Sequence, residues 1–216
     1  ITGMRRVISD RMHASIQGMA QLTLHLDVDM DNAISLRKNM EADDSLPGYT
    51  DFVIASVARA LKIHPLLNSQ MLENEILQLN EINVGMAVAL DEGLVVPVIR
   101  NADQLSLKEI AENTSRLAKQ ARSGKLALED LEGGTFSVSS LGMFGVDGFT
   151  PVINPPNSAI LGVGRIREDM TWVDQKPTKV SRMVLSLTWD HRVLDGAPAA
   201  DFAKTVKSGL ENPESL

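Results

Sequence analysis

Residues 182–196 read "RMVLSLTWDHRVLDG", and the first half of this stretch indicates how the fold is built. Apolar and polar side chains alternate in it, as they do in a strand that buries only one of its faces. Leu185, Leu187 and Trp189 share one face, and the polar residues between them share the other. The pattern therefore predicts a strand that covers a hydrophobic core with one face and presents polar side chains on the opposite face.

His191 follows this strand and continues its apolar row. Burial disfavours a charged imidazole, so a buried His191 would stay neutral and could accept a proton near pH 7. The spacing alone leaves two interpretations open: a core histidine satisfied by a backbone carbonyl, and a general base. Asp195 stands directly before Gly196, and aspartate is a preferred helix N-cap. With Pro198 in the first turn of a final helix, a capping or other structural role is favoured for Asp195 over proton transfer.

Helices and strands are interspersed along the rest of the chain without a regular strand-helix repeat. Alternation and short apolar runs predict strands over residues 20–28, 82–90, 94–99, 135–139 and 158–166, with a turn at 91–93 and a polar hairpin near 168–180. Helical spacing predicts helices over residues 4–16, 30–42, 49–65, 106–123 and after residue 196. A Gly- and Pro-rich loop is predicted to run to residue 156. This order indicates an α/β fold with a mixed β-sheet flanked by helices, and it argues against a doubly wound dinucleotide fold.

The composition limits the classes of function. The chain has 216 residues, 44% of them hydrophobic, which suits one sizeable domain with a buried core. A formal charge of -7 and a pI near 5.1 argue against binding to nucleic acid or to an anionic membrane, since such proteins need clustered Lys and Arg. The absence of cysteine excludes disulfides, thiolate metal sites and a cysteine nucleophile. The apolar stretches fall short of the ~20 residues that span a bilayer, so an intracellular protein is expected.

Several segments resemble one family in the same order along the chain. The stretch "DHRVLDG" resembles the His-x-x-x-Asp-Gly signature of the chloramphenicol acetyltransferase-like superfamily, in the form carried by the catalytic core domains of dihydrolipoamide acyltransferases. Those enzymes belong to 2-oxoacid or acetoin dehydrogenase complexes. The further matching segments are "GMRRVISDRM", "ALKIHPLLN", "NVGMAVALDEGLVVPVIRNAD", "GGTFSVSSLGMFGVDGFTPVINPP" and "AILGVGRI". The resemblance implies that residues 1–216 form a single acyltransferase catalytic domain of chloramphenicol acetyltransferase-like fold, without lipoyl or peripheral-subunit-binding domains.

The resemblance also assigns site residues. It implies that His191 is the catalytic base and that Asp195 is the motif aspartate. It places the serine that stabilises the transition state at Ser139 in "FSVSSLG"; strand alternation by itself excludes Ser140 but not Ser137. Two further sets have family-implied roles: an N-terminal arginine that holds the aspartate, Arg5 or Arg6, and substrate-channel residues, Leu94, Val95, Pro97, Met143 and Phe144.

The implied reaction moves an acyl group, acetyl in the first place, between dihydrolipoamide and coenzyme A by direct thiol attack. The segment "MAQLTLHLDVDM" is closer to acetyl-transferring members, including those of acetoin-cleaving complexes. Coenzyme A is a substrate, the lipoyl group is carried on another domain, and no metal is implied. The implied partners are two further copies in a homotrimer, a larger cubic or icosahedral assembly, the lipoyl domain and the dehydrogenase components. The expected compartment is the cytoplasm, or the mitochondrial matrix in a eukaryote.

Three alternatives are less well supported by the residues. A catalytically silent core scaffold would be expected to lose His191 or Ser139, and both are present. Condensation domains with the same signature are about twice as long and usually carry a doubled histidine, where this chain has Asp190 before His191. A Ser-His-Asp hydrolase would need a G-x-S-x-G elbow, which the sequence lacks.

Overall fold

The structure is a computed structural model that describes residues 1–40, 46–91 and 93–216. The helices are, in chain order, α1 (Gly3–Gly18), α2 (Asp31–Asn39), α3 (Tyr49–Ile63), α4 (Leu107–Arg122) and α5 (Gly196–Glu211). The strands are β1 (Gln21–Asp29), β2 (Ser69–Met71), β3 (Ile76–Gln78), β4 (Val84–Met86), β5 (Val88–Leu90), β6 (Gly93–Val95), β7 (Val98–Ile99), β8 (Phe136–Ser140), β9 (Ala159–Val163), β10 (Arg167–Val173) and β11 (Lys176–Asp190). Within these ranges the structure contains no helix of the length and hydropathy that a membrane span requires.

One seven-stranded mixed sheet organises the chain. Its strand order is β1-β11-β9-β8-β4-β7, and β10 pairs with the first part of β11. β4 and β9 run parallel to β8, whereas the remaining pairs of this sheet are antiparallel. Two small antiparallel pairs, β2 with β3 and β5 with β6, lie outside it. The mixed sheet predicted from the sequence is therefore confirmed.

β11 is a single strand of 15 residues that joins the hairpin to the centre of the sheet. Residues 176–182 pair with β10, and residues 182–190 pair with β1, so the two neighbours divide the strand between them. Residues 185–189 also pair with β9 on the other edge. The sequence predicted a polar hairpin and a separate strand here, and the structure shows that the second hairpin strand and the predicted strand are continuous.

The apolar face of the sheet carries the core. Leu187 and Trp189 of β11 and Phe136 of β8 are buried together with residues of α3 and α5. The rings of Phe136 and Phe202 from α5 lie 5.7 Å apart, which ties the helix to the middle of the sheet. Burying a side chain of this size contributes about 1.5–3 kcal/mol, so this face supplies much of the stability of the fold.

The opposite face is polar, as the alternation in β11 predicts. Thr23 Oγ1 lies 2.7 Å from Thr188 Oγ1, and His25 Nδ1 lies 2.9 Å from Ser186 Oγ, so side chains of β1 and β11 pair across the strands. The loop between β8 and β9 covers part of this face. At Gly162 an added Cβ would lie 2.9 Å from Cζ of the Phe149 ring, so glycine is needed for the loop to approach the sheet. The loop is thereby fixed close to the end of β8.

Most predicted helix and strand positions are confirmed, and the helix ends show why. Ser106 accepts a hydrogen bond from the Glu109 N–H at 3.3 Å, and the Glu109 carboxylate accepts one from the Ser106 N–H at 2.8 Å, which forms a capping box at the start of α4. Gly124, with φ of +67°, follows the end of the same helix, where a left-handed residue suits glycine. α3 ends at Ile63, before His64 and Pro65, as predicted.

Three predictions differ from the structure. The helix predicted over 30–42 ends at Asn39, and residues 41 and 42 lie outside the described residues. The two strands predicted over 82–99 form four short ones, because β4 joins the main sheet while β5 leaves it to pair with β6; Glu92 of the predicted turn lies outside the described residues. The pair β2 and β3 was not predicted, since three-residue strands carry too little alternation to recognise.

Candidate active site

His191 lies at the first position after β11, in a tight turn. The Val193 N–H donates to the Asp190 carbonyl at 2.9 Å and closes this turn, and the His191 N–H donates to the Ala20 carbonyl at 2.8 Å. The imidazole packs beside the Trp189 ring at 6.0 Å between centroids. Its side chain is 42% exposed, so the expectation that His191 is buried is wrong for the single chain. The reason is that the strand ends at Asp190, one residue before His191 could continue the buried row.

Asp190, directly before the histidine, is fully buried and bound from several sides. Its carboxylate accepts the Nη2–H of Arg192 at 2.6 Å and the Nε–H of the same guanidinium at 3.0 Å. The backbone N–H groups of Arg192 and Ala20 donate to Oδ1 at 3.1 and 3.2 Å. Burial by itself would raise the pKa of Asp190, but the hydrogen bonds and charge of Arg192 and the Ala20 N–H outweigh it and hold the pKa below its usual value. The pair therefore stays ionised.

Asp195 occupies the N-cap position of α5, as predicted, but its side chain makes no capping hydrogen bond. Its carboxylate is 88% exposed, and Oδ1 lies 3.8 Å from His191 Nδ1, beyond hydrogen-bond distance. The prediction of a side-chain cap is thus wrong in the single chain, because the carboxylate is exposed to solvent and accepts no hydrogen bond from the first turn. Arg5 and Arg6 lie on exposed positions of α1, and Arg6 pairs with Asp10 at 3.7 Å. Within the described part of the chain neither arginine is paired with Asp195.

Ser139 lies near the end of β8 and lines a cavity of about 640 Å³. Helix α3 begins at this cavity, α4 ends at it, and the turn after β8 closes it. Three of the predicted channel residues, Leu94, Met143 and Phe144, line it with Ser139. Two others do not: Val95 packs against the core, and Pro97 is buried elsewhere. The structure therefore brings part of the predicted channel to Ser139.

The neighbouring serines differ from Ser139 in their surroundings. Ser137 is 2% exposed, lies 3.5 Å from Asn157 Nδ2 and is not among the residues that line the cavity. Ser140 does line the cavity, although strand alternation places it on the other face from Ser139, because both residues lie where β8 ends and the cavity opens. The structure of one chain thus excludes Ser137 from the cavity, whereas Ser139 and Ser140 both line it.

The cavity wall is largely apolar, with cationic groups in the lining. Met86, Val88 and Met183 contribute apolar side chains, while Arg122 and Arg165 contribute guanidinium groups. Arg165 Nε donates to Asp147 Oδ1 at 2.6 Å, and this hydrogen bond lowers the pKa of Asp147. A cavity of this size and lining can hold a mainly apolar group beside Ser139.

Ser139 and His191 are far apart within one chain. Ser139 pairs with Gly162, and Gly162 pairs with Ser186, so these three residues form one row across β8, β9 and β11. His191 lies about 16 Å farther along β11 than Ser186, at a rise of about 3.3 Å per residue, and β11 is about 10 Å from β8. His191 is not among the residues that line the cavity. A single chain therefore holds the two groups roughly 19 Å apart, too far for both to act on one bond.

Sequence reasoning missed the Asp190–Arg192 pair and its bond to Ala20. The local signal was an acid two residues before an arginine at a strand end, which permits a turn closed by the aspartate side chain. The bond to Ala20 has no local signal, because it joins residues separated by most of the chain. Buried charges are almost always paired, so the position of Asp190 on a buried strand was itself a reason to look for a cation.

Comparison with known proteins gives one consistent result. The model of the 2-oxoacid dehydrogenases acyltransferase (catalytic domain) family matches residues 1–216. The dihydrolipoyllysine-residue acetyltransferase component of the acetoin cleaving system of Bacillus subtilis is 43% identical over 100% of this chain and 56% of its own length. A dihydrolipoyllysine-residue succinyltransferase component of the 2-oxoglutarate dehydrogenase complex of Bartonella vinsonii is 39% identical over 100% of this chain and 54% of its own. The chain thus spans about half the length of the curated relatives it matches.

Solved structures agree in fold. Dihydrolipoamide acetyltransferase of Azotobacter vinelandii, studied for the roles of a serine, a histidine and an asparagine in its catalytic mechanism, superposes with a TM-score of 0.94 at 30% identity and covers 98% of this chain and 90% of that one. The cubic core of a pyruvate dehydrogenase multienzyme complex gives 0.94 at 31% identity, with the same coverage. A chloramphenicol acetyltransferase gives 0.58 at 14% identity over 97% of this chain and 96% of that one, which supports the fold alone.

Proposed function

The chain belongs to the acyltransferase family of the 2-oxoacid dehydrogenases, by its catalytic domain, and we propose that it transfers an acyl group between coenzyme A and dihydrolipoamide. One observation carries the assignment of the site. The serine, histidine and asparagine studied in the Azotobacter vinelandii enzyme have the same sequence spacing as Ser139, His191 and Asp195 here. We therefore assign the first two roles to Ser139 and His191, with an aspartate in place of the asparagine.

His191 acts as the general base. Free thiols have a pKa of about 8.5, so the attacking thiol needs a proton acceptor near pH 7. The imidazole takes the thiol proton as sulfur bonds to the thioester carbon, and it returns the proton to the departing thiolate when the old carbon–sulfur bond breaks. The partly exposed position at the end of β11 leaves the ring accessible to a substrate from outside its own chain. The absence of cysteine fits direct transfer, because the chain has no thiol to hold the acyl group.

Ser139 stabilises the negative charge that develops during this attack. The carbonyl oxygen becomes an oxyanion, and the Ser139 hydroxyl donates a hydrogen bond to it. The largely apolar cavity wall offers few other polar groups near this oxygen, which favours the hydrogen bond from Ser139. The chemistry needs no metal ion, since His191 supplies the base and Ser139 supplies the donor.

The complete site lies between two subunits of a homotrimer. The roughly 19 Å between Ser139 and His191 in one chain is bridged if the His191 end of one subunit meets the cavity of its neighbour. α1 provides independent support, because its apolar side chains Val7 and Ile16 are 57% and 51% exposed. A helix that leaves such residues uncovered in one chain is suited to a contact with a second copy. We extend this to a larger core of trimers, as in the related cubic core.

Acetyl is the acyl group that we propose, and the protein meets its other components through a mobile lipoyl domain. The acetoin-system relative is an acetyltransferase, and its identity of 43% exceeds the 39% of the succinyltransferase relative. The lipoyl group is carried on another domain, and the dehydrogenase components bind to the assembled core. We place this complex in the cytoplasm, or in the mitochondrial matrix if the source is a eukaryote.

The direct test is acyl transfer from acetyl-CoA or succinyl-CoA to free dihydrolipoamide, with the thioester product separated by chromatography. We expect acetyl transfer with a kcat/KM at least about tenfold above that for succinyl-CoA. Faster succinyl transfer would refute the acyl assignment while retaining the reaction. No transfer of either group by correctly assembled protein would refute the reaction and favour a silent core.

A further inference from the structure

The strand end that carries His191 contains a buried ion pair that the proposed chemistry does not use. Asp190 is fully buried, whereas the side chain of its partner Arg192 is 43% exposed. We propose that Asp190 and Arg192 are positioning residues that fix the backbone of His191 for proton transfer. This inference rests on the proposed role of His191 as the base.

The contacts of Asp190 enclose His191 on both sides in the chain. Oδ1 accepts the Arg192 N–H at 3.1 Å, which forms an Asx-turn with His191 in the middle. The guanidinium of Arg192 returns to the same carboxylate through Nε and Nη2. His191 therefore lies between two residues that are bound to each other by both backbone and side chain.

Ala20 fixes His191 from the neighbouring strand. Its N–H donates to Asp190 Oδ1 at 3.2 Å, and its carbonyl accepts the His191 N–H at 2.8 Å. The carboxylate of Asp190, the peptide groups of Ala20 and the N–H of His191 thus form one closed set of hydrogen bonds. Moving His191 requires breaking at least one bond of this set, and one of its members is a buried charge.

The imidazole itself has weaker restraints. It packs beside the Trp189 ring, and Asp195 Oδ1 is 3.8 Å from its Nδ1. Within the described residues no side chain donates to or accepts from the ring within hydrogen-bond distance. The position of the catalytic nitrogen therefore depends on the backbone, and the backbone depends on Asp190 and Arg192. A displacement near 1 Å at a catalytic group can reduce rates about a hundredfold.

The contact between Ala20 and Asp190 lies beside a second set of hydrogen bonds, which joins α1 to the loop between β8 and β9. Next to Ala20, Gln21 Nε2 donates to Ser15 Oγ at 2.9 Å, and Gln21 Oε1 accepts the Ile153 N–H at 3.2 Å. Ser15 Oγ donates in turn to the Ile153 carbonyl at 2.7 Å. These hydrogen bonds therefore hold together the end of α1, the start of β1 and the loop between β8 and β9, next to the Asp190–Arg192 pair.

The test compares Asp190→Asn, Arg192→Gln and the double variant, in kcat and in KM for acetyl-CoA. Each single change leaves one charge of the pair without its partner, whereas the double change replaces the ion pair by two neutral amides. We expect each single variant to lower kcat per folded protein about tenfold or more, with KM within about threefold. The double variant should recover at least about threefold over the weaker single variant.

Arg192→Lys tests the proposal without placing a neutral amide in the ion pair, so this variant is expected to fold. It retains the charge at a partly exposed position but loses the two-pronged guanidinium contact, so kcat should fall without a comparable fall in Tm. Arg116→Gln is the matched control. Arg116 also forms an ion pair, with Asp130 at 3.7 Å, but this pair lies away from the site. The kcat of Arg116→Gln should match wild type. A kcat within about twofold of wild type in Arg192→Lys and in every folded variant of the pair would overturn the proposal, as would a double variant no better than the singles.

A chemical readout separates this proposal from the proposed reaction. The rate at which diethyl pyrocarbonate modifies His191, measured by mass spectrometry, requires no substrate. The modification rate of His191 should be about threefold higher or more in Arg192→Lys than in wild type, because a loosened turn opens locally. If the wild-type protein transfers no acyl group but Arg192→Lys still alters the reactivity of His191, the proposed reaction is refuted and the positioning role of Asp190 and Arg192 is retained. If neither the reactivity of His191 nor kcat changes in Arg192→Lys, the positioning role is refuted.

Discussion

The ends of β11 and β8 differ in what surrounds the residue that each presents. At the end of β11, His191 stands on a closed turn with a buried ion pair beneath it, and the cavity does not reach it. At the end of β8, Ser139 opens into about 640 Å³ of largely apolar space. One end is rigid and polar, and the other is hollow and apolar. Each therefore has what the proposed reaction needs and the other lacks: the proposed base His191 on one side, and on the other a cavity with the proposed donor Ser139.

This difference explains why a single chain looks incomplete. General-base catalysis requires the base within hydrogen-bond reach of the proton it takes, and the two strand ends are separated by roughly 19 Å in one chain. A rigid end and a hollow end can be joined by symmetry without deforming either of them, because a rotation brings unlike surfaces of neighbouring copies together.

The largest effect is expected at the rigid end. His191→Ala removes the general base, so kcat for acetyl transfer should fall by about 10²–10⁴-fold. The fold and the assembly should remain intact, because the ring is partly exposed and its main contact is the Trp189 ring. Steady-state kinetics together with sedimentation of the assembly measures both. The control is Arg116→Gln on α4, outside the cavity lining, and equal kcat in the two variants would refute the base assignment.

A somewhat smaller effect is expected at the hollow end. Ser139→Ala removes one oxyanion donor, which should lower kcat about 10²–10³-fold with little change in KM. Ser137→Ala, on the same strand face but outside the cavity lining, should keep kcat per folded protein within about threefold of wild type. The reverse order of the two serine variants would contradict the placement of the donor at Ser139.

The two aspartates near His191 should differ in stability, and this is the smallest effect. Asp195→Ala should change the free energy of unfolding by less than about 0.5 kcal/mol, because its carboxylate is 88% exposed and makes no capping bond. Asp190→Ala should cost about 1–3 kcal/mol, because it removes the buried acceptor of the Ala20 and Arg192 N–H groups and leaves the half-exposed Arg192 guanidinium without its carboxylate. Chemical denaturation of both variants measures this. A loss at Asp195 as large as that at Asp190 would mean that a contact outside the single chain holds Asp195.

Local patterns predicted most of the fold. The alternation in β11 predicted both faces of the sheet, and the residues around α4 predicted its ends, because strands and capped helices are specified by neighbours in sequence. His191 was wrongly placed in the core because alternation does not show where a strand ends. The side-chain cap at Asp195 failed for a related reason, since the residue type fits the position but tertiary geometry turns the carboxylate outward.

The site itself was predictable only in part. Residue types and the family resemblance single out His191 and Ser139. The structure places His191 on a partly exposed turn and Ser139 in the lining of the cavity, and their catalytic roles stay predictions. Val95 and Pro97 were proposed for the channel on the same basis, but they pack inward. The bond between Ala20 and Asp190 could not be predicted, because it depends on β1 and β11 being neighbours in the sheet.

The most direct test of a site shared between subunits is complementation between the two defective chains. His191→Ala and Ser139→Ala chains carrying different tags are coexpressed, the presence of both tags in one assembly is verified by tandem affinity capture, and the unselected assemblies are assayed for acetyl transfer. With random mixing in equal amounts, about a quarter of the interfaces combine an intact His191 with an intact Ser139, so activity should reach about a quarter of wild type. Wild-type chains mixed with the double variant give the calibration, since a shared site again predicts about a quarter and a site within one chain predicts about half. Activity of the verified hybrids no higher than that of either single variant would contradict the shared site.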